Sequence, residues 1–393
     1  MTTPDTVARS LRTLLYDGLV ANWYPRVVAE RGGYVQNMAR DWTTHEDGLR
    51  FLVYQSRIVW TTATLIVYDP ELRARLEPML RHGLAFLETK MRDHEAGGYF
   101  TEVHLEEGPL VVDKSSYALS FALYALAAAY KATVDPAVLS AARDLQAWLG
   151  RCEDEHSGIA DDLDRFGAVA ASRDAGTQSV VKSFNTHLHL LESATEMHEA
   201  APTPETEGWV RHWIGVLMDK MLTLPGVACP FFLQSWRALP GHNSPGHNIE
   251  TAFLLHHAAT AISLHSPEIE RMVRGLVDHS LRVAWDERHG GLFYRTEAFD
   301  DPFDRDKVWW VQNETMTALL VAYKAFGDEV YWKRFCESWR FCCDHLVDRL
   351  HGGWYDTVDE TGIRVLVEAK AHRWKANYHE GRTLIYCLKM LAP

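Results

Sequence analysis

Two kinds of helical stretch alternate along the chain. Residues 119–130 are small and apolar nearly all round, whereas residues 136–150 combine one apolar stripe with charged positions. A helix that is apolar on every side has to be buried, and an amphipathic helix leaves one face in water. Few segments alternate with the period of two that a strand requires. The pattern therefore predicts an all-α protein built from helical hairpins.

Glycine turns divide this pattern into repeats. Pairs followed by an aromatic or apolar residue occur at Gly32-Gly33, Gly97-Gly98, Gly290-Gly291 and Gly352-Gly353. Their spacing is about 60 residues or a multiple of it, and weaker copies at Ser157-Gly158 and Cys229-Pro230 fall in the two gaps. A fixed period of this length indicates a repeat architecture, here with six units.

Six helical hairpins can close into a ring. We predict one domain over residues 1–393, folded as an (α/α)6 barrel with short β-hairpins in the loops at one end. The alternative is an open helical solenoid, whose terminal units carry polar caps. Neither end of the sequence shows such a cap, which favours the closed barrel.

Composition and charge limit the partners. The 393 residues are 47% hydrophobic and 24% charged, which suits a large globular core, and the net charge is −13. Because binding to nucleic acid or an anionic membrane needs a basic surface, and no Lys/Arg run exists, we expect neither partner. A neutral or polar small molecule fits better.

The sequence also bears on location. No basic region followed by an apolar stretch begins the chain, and no apolar run approaches the roughly 20 residues of a membrane span. The six cysteines show no C-x-x-C spacing, which is typical of free thiols in a reducing compartment. We therefore expect a cytoplasmic protein, either a monomer or a homodimer.

Polar and aromatic residues gather where each buried helix begins. Starting from Arg57, steps of 60 to 69 residues lead in turn to Tyr117, Asn185, His247, Trp310 and His379. This regular spacing predicts equivalent positions around the barrel, so these side chains should converge on one cavity. The same openings contain His189, Glu250, Glu314 and Trp374. A purely structural repeat would carry small and apolar residues here.

The residue types suggest proton transfer on a sugar. Histidine titrates near neutral pH and can both take and return a proton. Two histidines facing a cavity could move the proton on the carbon next to a sugar aldehyde, with Arg57 polarising the carbonyl oxygen. Trp310 and Trp374 offer flat faces to a pyranose. Directional hydrogen bonds to hydroxyls are expected from Tyr117, Asn185, Glu250 and Glu314.

Other kinds of site find less support. His187 and His189 are two residues apart on a helix and so point apart, and neither they nor His256-His257 have a carboxylate at a familiar spacing, so we expect no metal. Glycoside hydrolysis needs two carboxylates and stays open because of Glu250, Glu314 and Glu380. A non-catalytic sugar-binding barrel would not need histidines on different units. No nucleophile elbow, phosphate loop or dinucleotide fingerprint is present.

The helix openings resemble the N-acylglucosamine 2-epimerase family, most of all its cellobiose 2-epimerase, mannose 2-epimerase and mannose isomerase members. The segments that carry the resemblance span nearly the whole chain and are residues 56–60, 114–117, 185–192, 246–250, 309–312 and 374–382. The resemblance implies an (α/α)6 barrel without a metal or nucleotide cofactor.

The resemblance also implies roles. His379 and His247 would form the acid/base pair, with Glu250 orienting His247. His189 would act in ring opening, and Arg57 and Asn185 would contact substrate oxygens. Departures from the cellobiose pattern flank the two catalytic histidines, at Asn248, Ala376-Asn377 and Glu380. They leave the disaccharide substrate open.

Epimerisation and isomerisation share an enediolate intermediate and differ in where the proton returns. A 2-epimerase needs a base on each face of C2, whereas an isomerase needs only one base to move the proton from C2 to C1. Because His247 and His379 are both present, we predict a 2-epimerase acting on a glucose/mannose-type mono- or disaccharide reducing end. An aldose–ketose isomerase is the alternative, since family isomerases keep both histidines.

Overall fold

The fold is a ring of paired helices. The computed structural model describes residues 3–170, 181–224, 226–298 and 301–392. These ranges contain twelve helices of ten residues or more: α1 (Pro4–Thr13), α2 (Leu52–Tyr68), α3 (Arg73–Phe86), α4 (Ser116–Thr133), α5 (Pro136–Arg151), α6 (Phe184–Ala200), α7 (Pro204–Val216), α8 (Pro245–Ala261), α9 (Pro267–Ala284), α10 (Trp309–Phe326), α11 (Glu329–Phe341) and α12 (Tyr378–Leu391). The even-numbered helices form the inner ring, and the odd-numbered helices lie outside it.

The inner ring is closed. Each inner helix packs against the next, and α12 packs against α2. Helix α1 lies against α12 and is therefore its outer partner, so the sixth hairpin is assembled from both ends of the chain. The predicted (α/α)6 barrel is confirmed, and its closure excludes the open solenoid.

Burial follows the two predicted kinds of helix. In α4, every residue from Ala118 to Ala129 is buried, as expected of a helix that is small and apolar on all sides. In α9, the buried positions follow one stripe that includes Ile269, Val273 and Leu276. Across the described part of the chain, no helix combines the length and hydropathy needed to cross a membrane.

Short antiparallel strands join neighbouring units at one end of the barrel. They are β1 (Leu49–Phe51), β2 (Glu102–His104), β3 (Gly108–Pro109), β4 (Lys114–Ser115), β5 (Asp162–Leu163), β6 (Val181–Ser183), β7 (Phe231–Leu233), β8 (Ala238–Leu239), β9 (Arg295–Thr296), β10 (Pro302–Asp304), β11 (Lys307–Val308), β12 (Thr357–Val358) and β13 (Val365–Val367). Strands β1, β4, β6 and β11 each precede an inner helix and pair with a strand from the next unit. Backbone bonds between Met38 and Ala371 join the last unit to the first. The loops therefore collect at the N-terminal ends of the inner helices.

Glycine turns and glutamine side chains fix where two of the inner helices begin. Gly290 and Gly291 have φ values of 82° and 77°, which favour glycine because other residues rarely adopt them. The side chain of Gln312 in α10 then accepts from the backbone N–H of Leu292 (2.9 Å) and donates to its carbonyl (2.7 Å). Gln55 in α2 binds Tyr34 in the same way. These bonds tie each turn to the first turn of its inner helix.

Buried ion pairs anchor the same loops. An aspartate at the start of the glycine turn meets a lysine just before the next inner helix in four units, with Nζ–Oδ distances of 2.9 to 3.1 Å: Asp93–Lys114, Asp154–Lys182, Asp286–Lys307 and Asp348–Lys370. The four lysine side chains are fully buried. Because a buried charge is costly without its partner, each pair specifies how the turn docks on the helix.

Lys307 provides a test of these anchors. Replacing Lys307 by Met should lower the free energy of unfolding by about 3–5 kcal/mol, because Asp286 stays buried without its cation. The matched control is Lys333→Met, since Lys333 is exposed and lies 3.9 Å from Glu337. Its loss should change stability by less than about 0.5 kcal/mol. Urea denaturation followed by circular dichroism measures both, and equal effects would contradict the anchoring role.

Candidate active site

Two layers of side chains from the inner helices form a cavity at the loop end. The second residues of four inner helices and the third residue of α8 give one layer: Tyr117, Asn185, Trp310 and His379, with His247 from α8. The sixth residues of five inner helices give a layer one turn deeper: Arg57, Phe121, His189, Glu250 and Glu314. The sequence spacing had aligned Arg57 with Tyr117, but in the structure Arg57 lies one helical turn deeper. The period of about 60 residues identifies the helix but does not fix the position within a turn.

The inner cavity has a volume of about 180 Å³. Nine of the ten predicted site residues line it, and the exception is Glu314. The complete lining is Arg57, Tyr117, Asn185, His189, His247, Glu250, Tyr294, Trp309, Trp310, Trp374 and His379.

Glu314 lies behind His379. Its Oε1 is 2.6 Å from Nδ1 of His379, and the side chain is fully buried. When Glu314 is ionised it only accepts hydrogen bonds, so the neutral imidazole then donates through Nδ1–H and keeps the lone pair of Nε2. Glu314 thus orients His379, whereas the sequence had suggested contacts with substrate hydroxyls.

His189 has the same kind of partner within its own helix. Its Nδ1 lies 2.7 Å from Oε2 of Glu192, three residues further along α6. Although burial raises the pKa of Glu192, Arg382 and His189 together hold it at about 2. Glu192 also accepts from the Tyr378 hydroxyl at 2.5 Å. The carboxylate therefore remains ionised and fixes the imidazole of His189.

His247 differs from the other two histidines. Its Nδ1 lies 2.7 Å from the hydroxyl of Ser244, at the N-terminus of α8. The expectation from the family resemblance was that Glu250 orients His247, but Glu250 forms an ion pair with Arg382. Sequence spacing could suggest either partner, since both lie three residues from His247 on one helix.

Arg382 joins the three carboxylates beneath the cavity. It contacts Glu192 and Glu250, and its Nη2 lies 2.7 Å from Oε2 of Glu314. Burial raises the pKa of Glu314, while Arg382 opposes that shift. Arg382 is fully buried, so a single guanidinium compensates carboxylates from three different helices.

Arg57 and Asn185 present polar atoms without partners. Arg57 donates from Nη1 to the Trp374 carbonyl (2.7 Å) and from Nη2 to the Tyr117 hydroxyl (3.1 Å), but its buried Nε has no partner. The buried Oδ1 of Asn185 also has none. Because unpaired buried polar atoms are costly, a donor and an acceptor lining one cavity suit an oxygen-rich ligand.

Trp310 contacts both predicted acid/base histidines. Its ring centroid is 4.8 Å from that of His247 and 5.7 Å from that of His379. Trp374 is half-exposed at the mouth and packs edge-on against Phe51. Two histidines therefore contact one aromatic ring of the cavity lining, and a second aromatic side chain stands at the entrance.

A wider cleft of about 580 Å³ opens beside the inner cavity. The two share the lining residues Tyr117, Asn185, His247, Tyr294 and Trp374. Most of the exposed lining of the outer cleft is apolar, and it includes Phe184, Pro230 and Phe231. The cavity is thus continuous with a space that can receive a substituent of the bound ligand.

Among the described residues, Glu250, Glu314 and His379 form a group that could hold a metal ion, with ligand atoms within 4.8 Å of one another. Both carboxylates already contact Arg382, and Nδ1 of His379 is bonded to Glu314. A guanidinium thus provides the positive charge that a metal would bring, and the absence of a metal cofactor stays a prediction.

Comparison with known proteins agrees with this geometry. The sequence profile described as N-acylglucosamine 2-epimerase (GlcNAc 2-epimerase) matches residues 33–381. The chain belongs to the N-acylglucosamine 2-epimerase family.

Relatives within this family cover the whole chain. A cellobiose 2-epimerase of Bacteroides fragilis is 28% identical, over 98% of this chain and 99% of that protein. A D-mannose isomerase of Marinomonas mediterranea is 24% identical, over 95% and 94%. The solved structure of a cellobiose 2-epimerase from Spirochaeta thermophila superposes with a TM-score of 0.91 at 26% identity, over 99% and 97%. This member of the family is a carbohydrate epimerase or isomerase.

Several residues of this family member's site had no predicted role. Arg382 and Glu192 stood in the segments that carried the resemblance, but only coordinates reveal that they meet across helices. The contact of Glu192 with His189 could have been predicted, because residues three apart lie on the same face of a helix. Ser244 lies three residues before His247, but this spacing alone did not favour it over Glu250.

Proposed function

We propose that this chain is a sugar 2-epimerase that moves the C2 proton of an open-chain aldose between His379 and His247. The observation that carries the proposal is that both histidines line one cavity and flank the same tryptophan, Trp310. We take residues 1–393 as one catalytic domain, because the ends of the chain pack together as α1 and α12. The cytoplasmic location and the oligomeric state stay predictions.

The protonation states suit two bases. Burial lowers the pKa of His247 to about 4. Burial, with a smaller contribution from Arg57, lowers the pKa of His379 well below its usual value. Neutral pH lies above the pKa of each histidine, so both imidazoles are uncharged and able to accept a proton.

Ring opening comes first in the proposed reaction. His189, held by Glu192, accepts the proton of the anomeric hydroxyl and assists its transfer to the ring oxygen. The free aldehyde oxygen then lies near Arg57, whose Nε is a buried donor without a partner. A preorganised cationic donor at this oxygen makes the neighbouring C2–H bond more acidic.

Proton transfer at C2 follows. One histidine removes the proton, the C–H electron pair forms the C1=C2 double bond, and the carbonyl pair becomes an oxyanion beside Arg57. The negative enediolate favours protonation of the second histidine, which draws its proton from water, and the first histidine gives its proton to the hydroxide left behind. Delivery of that proton to the opposite face of C2 restores the C1 carbonyl and yields the other epimer.

The alternative is aldose–ketose isomerisation in the same cavity. It differs in that the proton returns to C1 while the hydroxyl proton on O2 passes to O1, so that the carbonyl forms at C2. The D-mannose isomerase of Marinomonas mediterranea aligns over 95% of this chain. Glycoside hydrolysis finds less support, because Glu314 does not line the cavity and shares Arg382 with Glu250.

The substrate we propose is a glucose/mannose-type aldose, free or as the reducing end of a disaccharide. The inner cavity of about 180 Å³ would hold the reacting sugar, and the aromatic cleft of about 580 Å³ could hold a second ring. The cellobiose 2-epimerase of Bacteroides fragilis aligns over 98% of this chain, which supports including disaccharides.

Product analysis tests the proposal. The protein is incubated separately with mannose, glucose, fructose, cellobiose and N-acetylglucosamine, and the products are separated by chromatography. We expect an aldose to give its C2 epimer. A ketose as the sole product would support the isomerase activity instead of the epimerase activity. If no sugar is converted, both proposed activities are contradicted.

Histidine variants test the mechanism. His247→Ala and His379→Ala should each lower epimerisation by on the order of 10²–10⁴-fold, mainly in kcat, because each removes the base on one face. In D₂O, each variant should still exchange the C2 proton of the one epimer that presents it to the remaining histidine. Proton NMR of glucose and mannose follows this exchange.

Two other results would count against this assignment. A histidine that is indispensable for exchange in both epimers would indicate a one-base isomerase. Wild-type turnover in both variants would remove the proton-transfer mechanism.

A further inference from the structure

The hydroxyl of Ser244 is used differently from the hydroxyls at equivalent positions. Ser115 and Ser183 precede α4 and α6 as Ser244 precedes α8. Their Oγ atoms accept from a backbone N–H three residues further on, at 3.3 and 3.1 Å. Ser244 makes no such capping bond, and its Oγ lies 2.7 Å from Nδ1 of His247. The start of α8 therefore forgoes a stabilising cap, and the hydroxyl holds a cavity histidine instead.

The three cavity histidines consequently have two kinds of partner. Nδ1 of His379 and Nδ1 of His189 meet the carboxylates of Glu314 and Glu192, which only accept when ionised. A hydroxyl can donate as well as accept. His247 is therefore the one of the three whose Nδ1 can be either protonated or unprotonated without losing its partner.

This difference matters for a group that must change its proton state. When Nδ1–H donates to Ser244, Nε2 of His247 is free to accept a proton. When Nδ1 accepts from the hydroxyl, Nε2 carries the proton and can donate a hydrogen bond to a substrate oxygen. The imidazolium uses the same serine oxygen as an acceptor. The ring orientation is retained in all three states.

We propose that Ser244 is the positioning residue of His247, which holds the ring through Nδ1 while Nε2 changes between accepting and donating. This inference rests on the proposed function, because it assumes that His247 serves one face of C2. Glu250 does not take this role, since its carboxylate is engaged by Arg382.

Proton exchange with each epimer tests this role. Wild type, Ser244→Ala and Ser244→Thr are incubated in D₂O with D-glucose and D-mannose separately, or with cellobiose and its 2-epimer, and proton NMR follows the C2 signal. Ser244→Ala should slow exchange roughly 10- to 100-fold for the epimer that presents its proton to His247. Exchange of the other epimer should remain within about twofold of wild type, since His379 keeps its own partner.

Two variants separate positioning from general damage. Ser244→Thr retains the hydroxyl and should restore most of the exchange. Ser115→Ala removes a true helix cap and should lower the melting temperature without selecting between epimers, because Ser115 does not line the cavity.

The outcomes are distinguishable. Loss of exchange for both epimers equally in Ser244→Ala, or no loss for either, would overturn the role of Ser244 while leaving the epimerase proposal intact. A wild-type protein that exchanges the C2 proton of no sugar would refute the proposed function itself.

Discussion

The ion pairs of Arg382 organise the site. One buried guanidinium on α12 meets carboxylates from α6, α8 and α10, so four of the six inner helices are tied together beneath the cavity. Burying these charges costs free energy that a well-packed apolar cluster would not, and only close pairing offsets it. The arrangement is therefore better explained by what it orients than by stability. Two of the three carboxylates each hold a histidine through Nδ1.

The same arrangement sets the charge of the cavity. With the carboxylates compensated from below, the buried imidazoles of His247 and His379 remain uncharged, as their lowered pKa values indicate. Arg57 adds a cation to the lining of the same cavity, held in place by the Trp374 carbonyl and Tyr117. A neutral base and a fixed cation in one cavity suit abstraction of a carbon-bound proton, because the cation stabilises the negative charge that develops.

Much of this molecule could be predicted from the repeat. The glycine period gave six units, and the polar openings of the buried helices gave nine residues that line the cavity. A period of about 60 residues does not resolve a shift of one turn. For this reason Arg57 was aligned with Tyr117, although Arg57 lies one turn further from the start of its helix. Contacts between helices, such as that of Arg382 with Glu250, have no characteristic sequence separation from which they could be predicted. The pairing of α1 with α12 was likewise hidden, because it joins opposite ends of the chain.

The central claim is that two uncharged histidines line one cavity, with His379 held by Glu314. Nitrogen-15 NMR of histidine-labelled protein, titrated from pH 8 to pH 5 and assigned with His379→Gln and His247→Gln, tests it directly. Because a lowered pKa keeps the neutral form down to lower pH, both rings should remain uncharged at pH 6, with the proton of His379 on Nδ1 and none on Nε2. Imidazolium signals from either ring at pH 7 would contradict the account.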